Sequence, residues 1–205
     1  MQCEILVRGG EVVDPSQGLR GVRDVAIAEG RILAVSEQLE DVSATNTVDA
    51  RGLLVVPGLI DLHVHVWWGV AHLGIEADPH CLRRGATTVY DAGSAGADTF
   101  PGFKKYVIDG SATRIKAFLH ISSQGQLSRD IGELTDMRYA DLDRAVEMCE
   151  RYKEDIVGIK KNNSSKWVQN AKKFEATFPD FVAPTATGAP SVYCFKNSLE
   201  EYLAW

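Results

Sequence analysis

The run Pro57-Gly58-Leu59-Ile60-Asp61-Leu62-His63-Val64-His65 restricts the fold more than any other stretch of the chain. Its apolar residues fall on both parities of an extended strand, and such a strand fits inside a parallel sheet covered on both faces. It then ends in two imidazoles at i and i+2. Side chains two apart on a strand leave the same face, so His63 and His65 point the same way and could chelate one cation. At the C-terminal end of a barrel strand, that way is into an active-site mouth. An isolated His-x-His is usually two unrelated histidines. Here a buried strand, Asp61 and a β-rich module all precede it, which makes chance the weaker account.

The module before the run reads as short strands. Cys3 to Val7 is one, Gly9-Gly10 reads as a turn, Val12-Val13 resumes, and Asp14-Pro15 breaks the pattern. Asp24 to Ala28 alternates polar and apolar, Glu29-Gly30 is a hairpin signal, and Arg31 to Val35 returns. The expectation is a small antiparallel module, too small for comfort alone.

From Leu53 the pattern changes. Leu53 to Val56 and Leu59 to Leu62 are apolar runs; Glu76 to Arg84 reads as a helix with Gly85 as its C-cap, and Ala86 to Tyr90 as a strand. Thr99 to Pro101 reads as the start of a helix reaching about Ile108 and ended by Gly110. Arg114 to Ile121 is a third strand. Asp141 to Lys153 is the best helix, with Leu142, Ala145, Val146, Cys149 and Tyr152 on one face. Ile156 to Lys160 is a fourth strand. Strand and helix alternating at this pace predict βα units and a parallel α/β core. After Lys161 the alternation stops: 162–173 is polar, 177–190 holds three prolines, and only Ser198 to Trp205 hints at a helix. The expected division is therefore 1–52, 53–161 and an unassigned 162–205.

Of 205 residues, 45% are hydrophobic and 24% charged, enough apolar material for a core. A net charge of -6 argues against a nucleic acid or an anionic membrane surface as partner. No apolar run approaches the ~20 residues that span a bilayer, and Met1 to Gly10 has no leader pattern, so a cytoplasmic protein is expected. Cys3, Cys81, Cys149 and Cys194 form no Cys-x-x-Cys pair and read as reduced, buried thiols.

Pro57 to His65 is similar to the first-strand signature of the amidohydrolase superfamily. His65-Val-Trp-Trp-Gly, Leu73-Gly-Ile, Ala86-Thr-Thr and Asp91-Ala-Gly-Ser-Ala-Gly-Ala-Asp resemble one subgroup in particular. It comprises the deacetylase-like metallohydrolases related to dihydroorotases and D-aminoacylases. The resemblance implies an α/β fold: the first four βα units of a TIM barrel, preceded by part of a small β-sandwich. It implies a divalent metal, zinc in the family, held by His63 and His65. It also implies a catalytic, carbamylated lysine at the end of the fourth barrel strand, where Ile156-Val-Gly-Ile-Lys160 stands. A free lysine titrates near 10.4 and repels a cation, whereas its carbamate is anionic and offers two oxygens. Without the resemblance, Lys160 and Lys161 read as a pair opening a surface loop.

The implied reaction is hydrolysis of the C–N bond of a small N-acyl amide by a metal-activated hydroxide. Family members also use an aspartate on the last strand and two histidines from the fifth and sixth strands. Here all five histidines (His63, His65, His72, His80, His120) precede Lys160, and Asp180 is the only aspartate after Asp155. An eight-stranded barrel needs ~200 residues or more. Three readings stay open: a deacetylase-like enzyme, a dihydroorotase or cyclic amidase, and a truncated, non-catalytic chain. Dihydroorotases resemble His-x-His-x-Arg, and this chain has Trp67 at the arginine position, which ranks that reading lower. Trp67 and Trp68 could wall a substrate pocket or pack a loop. His120 could line the pocket or be a satisfied core histidine. Asp91 and Ser94 could touch substrate, though turn or capping roles fit better. His72 and His80 read as non-ligands. Open sheet edges in a half-barrel predict association, including a possible homo-oligomer.

Overall fold

The computed structural model describes residues 1–129, 134, 136–160 and the strand at 192–194. Lys161, Asp180 and the helix expected at 198–205 lie outside the described residues. The contacts divide the chain into two units, Met1–Pro57 and Gly58–Trp205.

The first unit is a five-stranded sheet of β1 (Gln2–Asp14), β2 (Leu19–Ala28), β3 (Arg31–Ser36), β4 (Ser43–Asp49) and β5 (Leu54–Val55), in the order β3-β2-β1-β4 with β5 also beside β1. The Glu29-Gly30 turn forms as expected, both residues having positive φ (52° and 68°). That backbone matches the twist of paired antiparallel strands.

Three expectations are corrected here. Gly9-Gly10 is a bulge inside one continuous strand, since the register steps from Val7↔Val25 to Gly10↔Arg23. Gly9, at φ 67°, takes the left-handed backbone that the extra residue requires. The module is also mixed rather than antiparallel, because β4 and β5 both run parallel to β1. Leu53 to Val56 therefore contributes its strand to this sheet. Ser43–Asp49 went unread because Ser-Ala-Thr-Asn-Thr-Val-Asp has no apolar run. One buried carboxylate fastens the bulge: Asp24 Oδ1 accepts from Gly9 N at 2.9 Å, and Oδ2 accepts from Leu39 N at 3.1 Å and Arg8 Nη1 at 3.2 Å.

The second unit is mixed α/β with a parallel sheet. β6 (Leu59–Val64), β7 (Ala86–Asp91), β8 (Arg114–His120) and β9 (Ile156–Lys160) lie side by side and parallel. The short β10 (Val192–Cys194), unforeseen in the sequence, pairs antiparallel with β9. Between the parallel strands run α1 (Ala77–His80, then a 3-10 turn to Arg84), α2 (Phe100–Phe103, then a π-helical turn to Ile108) and α3 (Leu142–Arg151). Gly85 ends the first at φ 95°. Thr99 begins the second without a side-chain cap. Asp141 caps the third, accepting from Arg144 N at 3.1 Å. Ala145, Met148 and Cys149 are its buried residues, so Met148 joins the face read from the sequence. They meet Phe100, Phe103, Ile115, Leu119 and Ile156 in one core. Cys3, Cys81 and Cys149 are buried free thiols, and burial pushes Cys149 up to about 12. Among the described residues no helix is long and apolar enough to cross a membrane.

β9 is buried along its whole length. β6, expected to be covered on both faces, is not: Leu59, Ile60 and Leu62 remain 55%, 41% and 44% exposed. The cause is its place in the sheet, where β7 is its one neighbour among the described residues. An apolar edge strand with free backbone groups is a template for pairing. The chain is expected to self-associate at micromolar concentration in sedimentation velocity, and Leu59→Lys with Leu62→Lys to shift it toward monomer. A wild-type chain that sediments as a monomer at ten times that concentration would contradict this.

Candidate metal centre

Because β6 to β9 are parallel, their C-terminal ends share one edge of the sheet, and each delivers polar side chains there. β6 leads into His63 and His65, β7 ends in Asp91, β8 in His120 and β9 in Lys160. His63 and His65 do share a face: their rings meet edge to face with centroids 5.6 Å apart. His63 is exposed and His65 partly buried. Lys160 is buried at 7% exposure and is register-paired with the fully buried His120. Glycine makes room for it. Gly93, at φ 90°, sits where a Cβ would overlap the Cβ and Cγ of Lys160.

Asp91 organises the loop that follows β7. It is fully buried. Its Oδ1 accepts from Ser94 N at 2.6 Å and Gly93 N at 3.0 Å, and its Oδ2 accepts from Val66 N at 2.8 Å and the Ser94 hydroxyl at 2.7 Å. Burial pushes its pKa up while these donors pull it down. Three backbone N–H groups aimed at its two oxygens are the arrangement of an ionised acceptor. The Ser94 hydroxyl proton is thus committed to Asp91, so Ser94 Oγ accepts from His65 Nδ1 at 2.9 Å. That puts the His65 proton on Nδ1 and leaves the Nε2 lone pair available. Asp91 and Ser94 therefore take the turn-forming role, with a second duty toward His65 that the sequence did not reveal. The glycine-rich stretch after a strand was the signal that could have shown it.

The electrostatics favour neutral imidazoles. His65 is lowered to about 4, by burial first and then by the positive charges of Lys160, His63 and His72. His120 is lowered to about 3, by burial and then by Lys160 and His65. His120 Nδ1 accepts from Ser122 N at 2.9 Å, and its buried Nε2 has no partner. His72 and His80 are exposed, and His72 Nδ1 lies 3.2 Å from the Gln126 carbonyl oxygen. Trp67 is buried against Phe103 at 5.5 Å between ring centroids, so it packs the loop. A groove of about 600 Å³ lies by α1 and α2, lined by Trp68, Glu76 and Tyr106 among others, but by none of the histidines.

No protein-family model matches the chain. A deacetylase of Agrobacterium fabrum is 39% identical over 163 residues, 78% of this chain and 40% of the relative. A crystal structure of a dihydroorotase superposes with a TM-score of 0.71 at 38% identity, covering 78% of this chain and 42% of that one. Its homologues are deacetylases and dihydroorotases, and its structural neighbours are members of the amidohydrolase superfamily. A crystal structure of an adenine deaminase extends the likeness, with a TM-score of 0.68 at 26% identity over 85% of this chain and 48% of that one. The chain spans about 40% of the length of the Agrobacterium relative.

The side chains at this edge that a single cation could use are His63, His65 and Lys160. Among the described residues no three His, Cys, Asp or Glu side chains gather as a metal site. A catalytic zinc takes three protein ligands. His63 and His65 supply two imidazoles, and Lys160 becomes a third donor only once its ammonium has lost a proton or been converted to the carbamate.

Two outcomes are expected from the metal-free chain. Both depressed histidines bind fewer protons folded than unfolded between their folded values and about 6.5, so stability rises with pH there. It is fully present above about 6.5 and is lost as pH falls toward 4 and 3. Urea melts should show a falling midpoint from pH 6.5 to 5, before most carboxylates titrate; a flat midpoint there would be inconsistent. Gly93→Ala should cost about 1–3 kcal/mol from backbone strain and the lost space for Lys160. An unchanged urea midpoint for that variant would show that neither constraint holds.

Proposed function

We propose that this chain carries part of a metal-dependent amidohydrolase that cleaves the C–N bond of a small N-acyl compound, in the manner of a deacetylase. The observation that carries the reading is the convergence of His63, His65 and Lys160 at one edge of a parallel sheet. The 39% identity to a deacetylase over 78% of the chain supports the substrate class. The parallel sheet is read as the first four units of a (β/α)8 barrel, and the N-terminal sheet as part of a small β-sandwich.

In this reading His63 and His65 hold a divalent cation, zinc by the resemblance, and Lys160 holds it through a carbamate oxygen. When bound, the metal supplies Lewis-acid polarisation of the amide carbonyl and acidification of a water. The chain's own residues do the rest of what can be assigned. Asp91, through Ser94, keeps the His65 proton on Nδ1, which leaves the Nε2 lone pair as the one that would bind a cation. Burial keeps that imidazole neutral, as a ligand must be. Trp67 favours a deacetylase over a dihydroorotase, because its ring is packed against Phe103 where the latter would present an arginine. A second reading, that the chain as it stands holds one metal but turns over no substrate, is favoured by the histidine count. None of the five histidines follows Lys160, so these 205 residues hold no counterpart of the fifth- and sixth-strand imidazoles that the resemblance implies for a second metal.

The test is metal content. Chain purified with zinc and dialysed should retain about one equivalent, and His63→Ala with His65→Ala should lower its zinc affinity at least ~10-fold. Equal zinc in wild type and double variant would remove the metal site from consideration.

A further inference from the structure

Of the polar residues in which β6 to β9 end, His120 is the one whose chemistry the proposed function does not use. It ends β8 directly opposite Lys160 on β9. Register partners on adjacent parallel strands project to the same side of the sheet. Both are buried. The backbone N–H of Ser122 donates to His120 Nδ1 at 2.9 Å, so that nitrogen carries a lone pair. A neutral imidazole has one proton, which must then sit on Nε2. The result is a fully buried N–H with no acceptor. Native structures rarely leave such a donor unmatched, and one that stays so calls for an explanation. A Lys160 ammonium, carrying only donors, cannot answer it.

We infer that His120 Nε2–H donates a hydrogen bond to the carboxylate of a carbamylated Lys160, as a positioning residue and not as a metal ligand. The modification balances with carbon dioxide as co-reactant. The neutral Nζ of Lys160 attacks the carbon, an N–C bond forms, one C=O π pair moves onto oxygen, and a proton leaves Nζ for water. The product has two oxygens carrying a shared negative charge. One accepts from Nε2–H, and the remaining lone pairs face the cation. Because Nε2 keeps its proton, His120 offers that cation nothing to bind. The inference rests on the metal-centre reading and assigns a residue that this reading leaves out.

The test uses the full chain, zinc and carbon-13 bicarbonate, with two variants. His120→Phe keeps the bulk and loses the donor, whereas His120→Gln keeps an N–H. The readouts are the carbon-13 carbamate resonance, zinc affinity by titration, and the nitrogen-15 shifts of the His120 ring in wild type. Wild type should show the Nε2–H tautomer, with that proton shifting when bicarbonate is added. At fixed bicarbonate His120→Phe should lose at least ~10-fold in carbamate occupancy, as removing a partner of a metal ligand typically does, and His120→Gln should retain most of it. A wild-type ring protonated on Nδ1 would overturn the inference even if neither variant folds. So would equal carbamate in wild type and His120→Phe. If zinc binds through His63 and His65 but no carbamate forms, this inference fails and the metal site stands; if zinc does not bind at all, the proposed function fails first.

Discussion

Asp91 is fully buried and takes four hydrogen bonds, three of them from backbone N–H groups at residues 66, 93 and 94. Those groups belong to two different segments, the stretch leaving β6 and the loop leaving β7. A charge taken out of water is tolerated only when its lone pairs are fully engaged. The engagement forces the two segments together. The path of the chain after the His63–His65 pair and the turn that brings Gly93 against Lys160 are thus set by one carboxylate. Ser94 extends its reach by one more bond, to His65. The geometry of the candidate centre thus depends on a residue whose two oxygens are engaged by the chain's own N–H and O–H groups.

Much of this was legible in the sequence, and the parts that were not share a cause. The βα alternation showed because each strand and helix carries its own local pattern: the apolar run of Ile156 to Lys160, the spaced apolar face from Leu142, the glycine after Arg84. His63 and His65 showed because period-two alternation is a local rule. What escaped depends on partners distant in sequence. Ser43–Asp49 is a strand because β1 lies beside it, not because its residues favour one. Gly9-Gly10 reads equally well as turn or bulge, and only the register with β2 decides. Pairing of His120 with Lys160 across two strands, and of Ser94 with His65, arises from the same long-range placement.

β6 and β9 make the point about burial most directly. Both are short, apolar strands ending in residues of the candidate centre, and their sequences alone predict the same environment. β9 is buried at every position, whereas Leu59, Ile60 and Leu62 of β6 are 41–55% exposed. Hydrophobic pattern states what a strand needs, and topology decides whether it gets it. β9 has β8 on one side and β10 on the other, but β6 has β7 as its one neighbour among the described residues.

That asymmetry bears on the candidate site, because His63 lies on the less supported strand and His65 directly follows it. Preorganised ligands hold a cation well only when their own positions are fixed by surrounding contacts. Lys160 and His120 meet that condition through burial on the central strands. His65 meets it through Ser94 and the burial that depresses its pKa. His63, exposed and at the edge, is held among the described residues by its backbone N–H bond to the Asp61 carboxylate at 3.1 Å and by the edge of the His65 ring. Of the three proposed ligands it is the one with least to hold it. Any polypeptide that paired with the side of β6 away from β7 would bury Leu59, Ile60 and Leu62 and stiffen the strand that carries His63, so covering that edge and fixing His63 are one physical event.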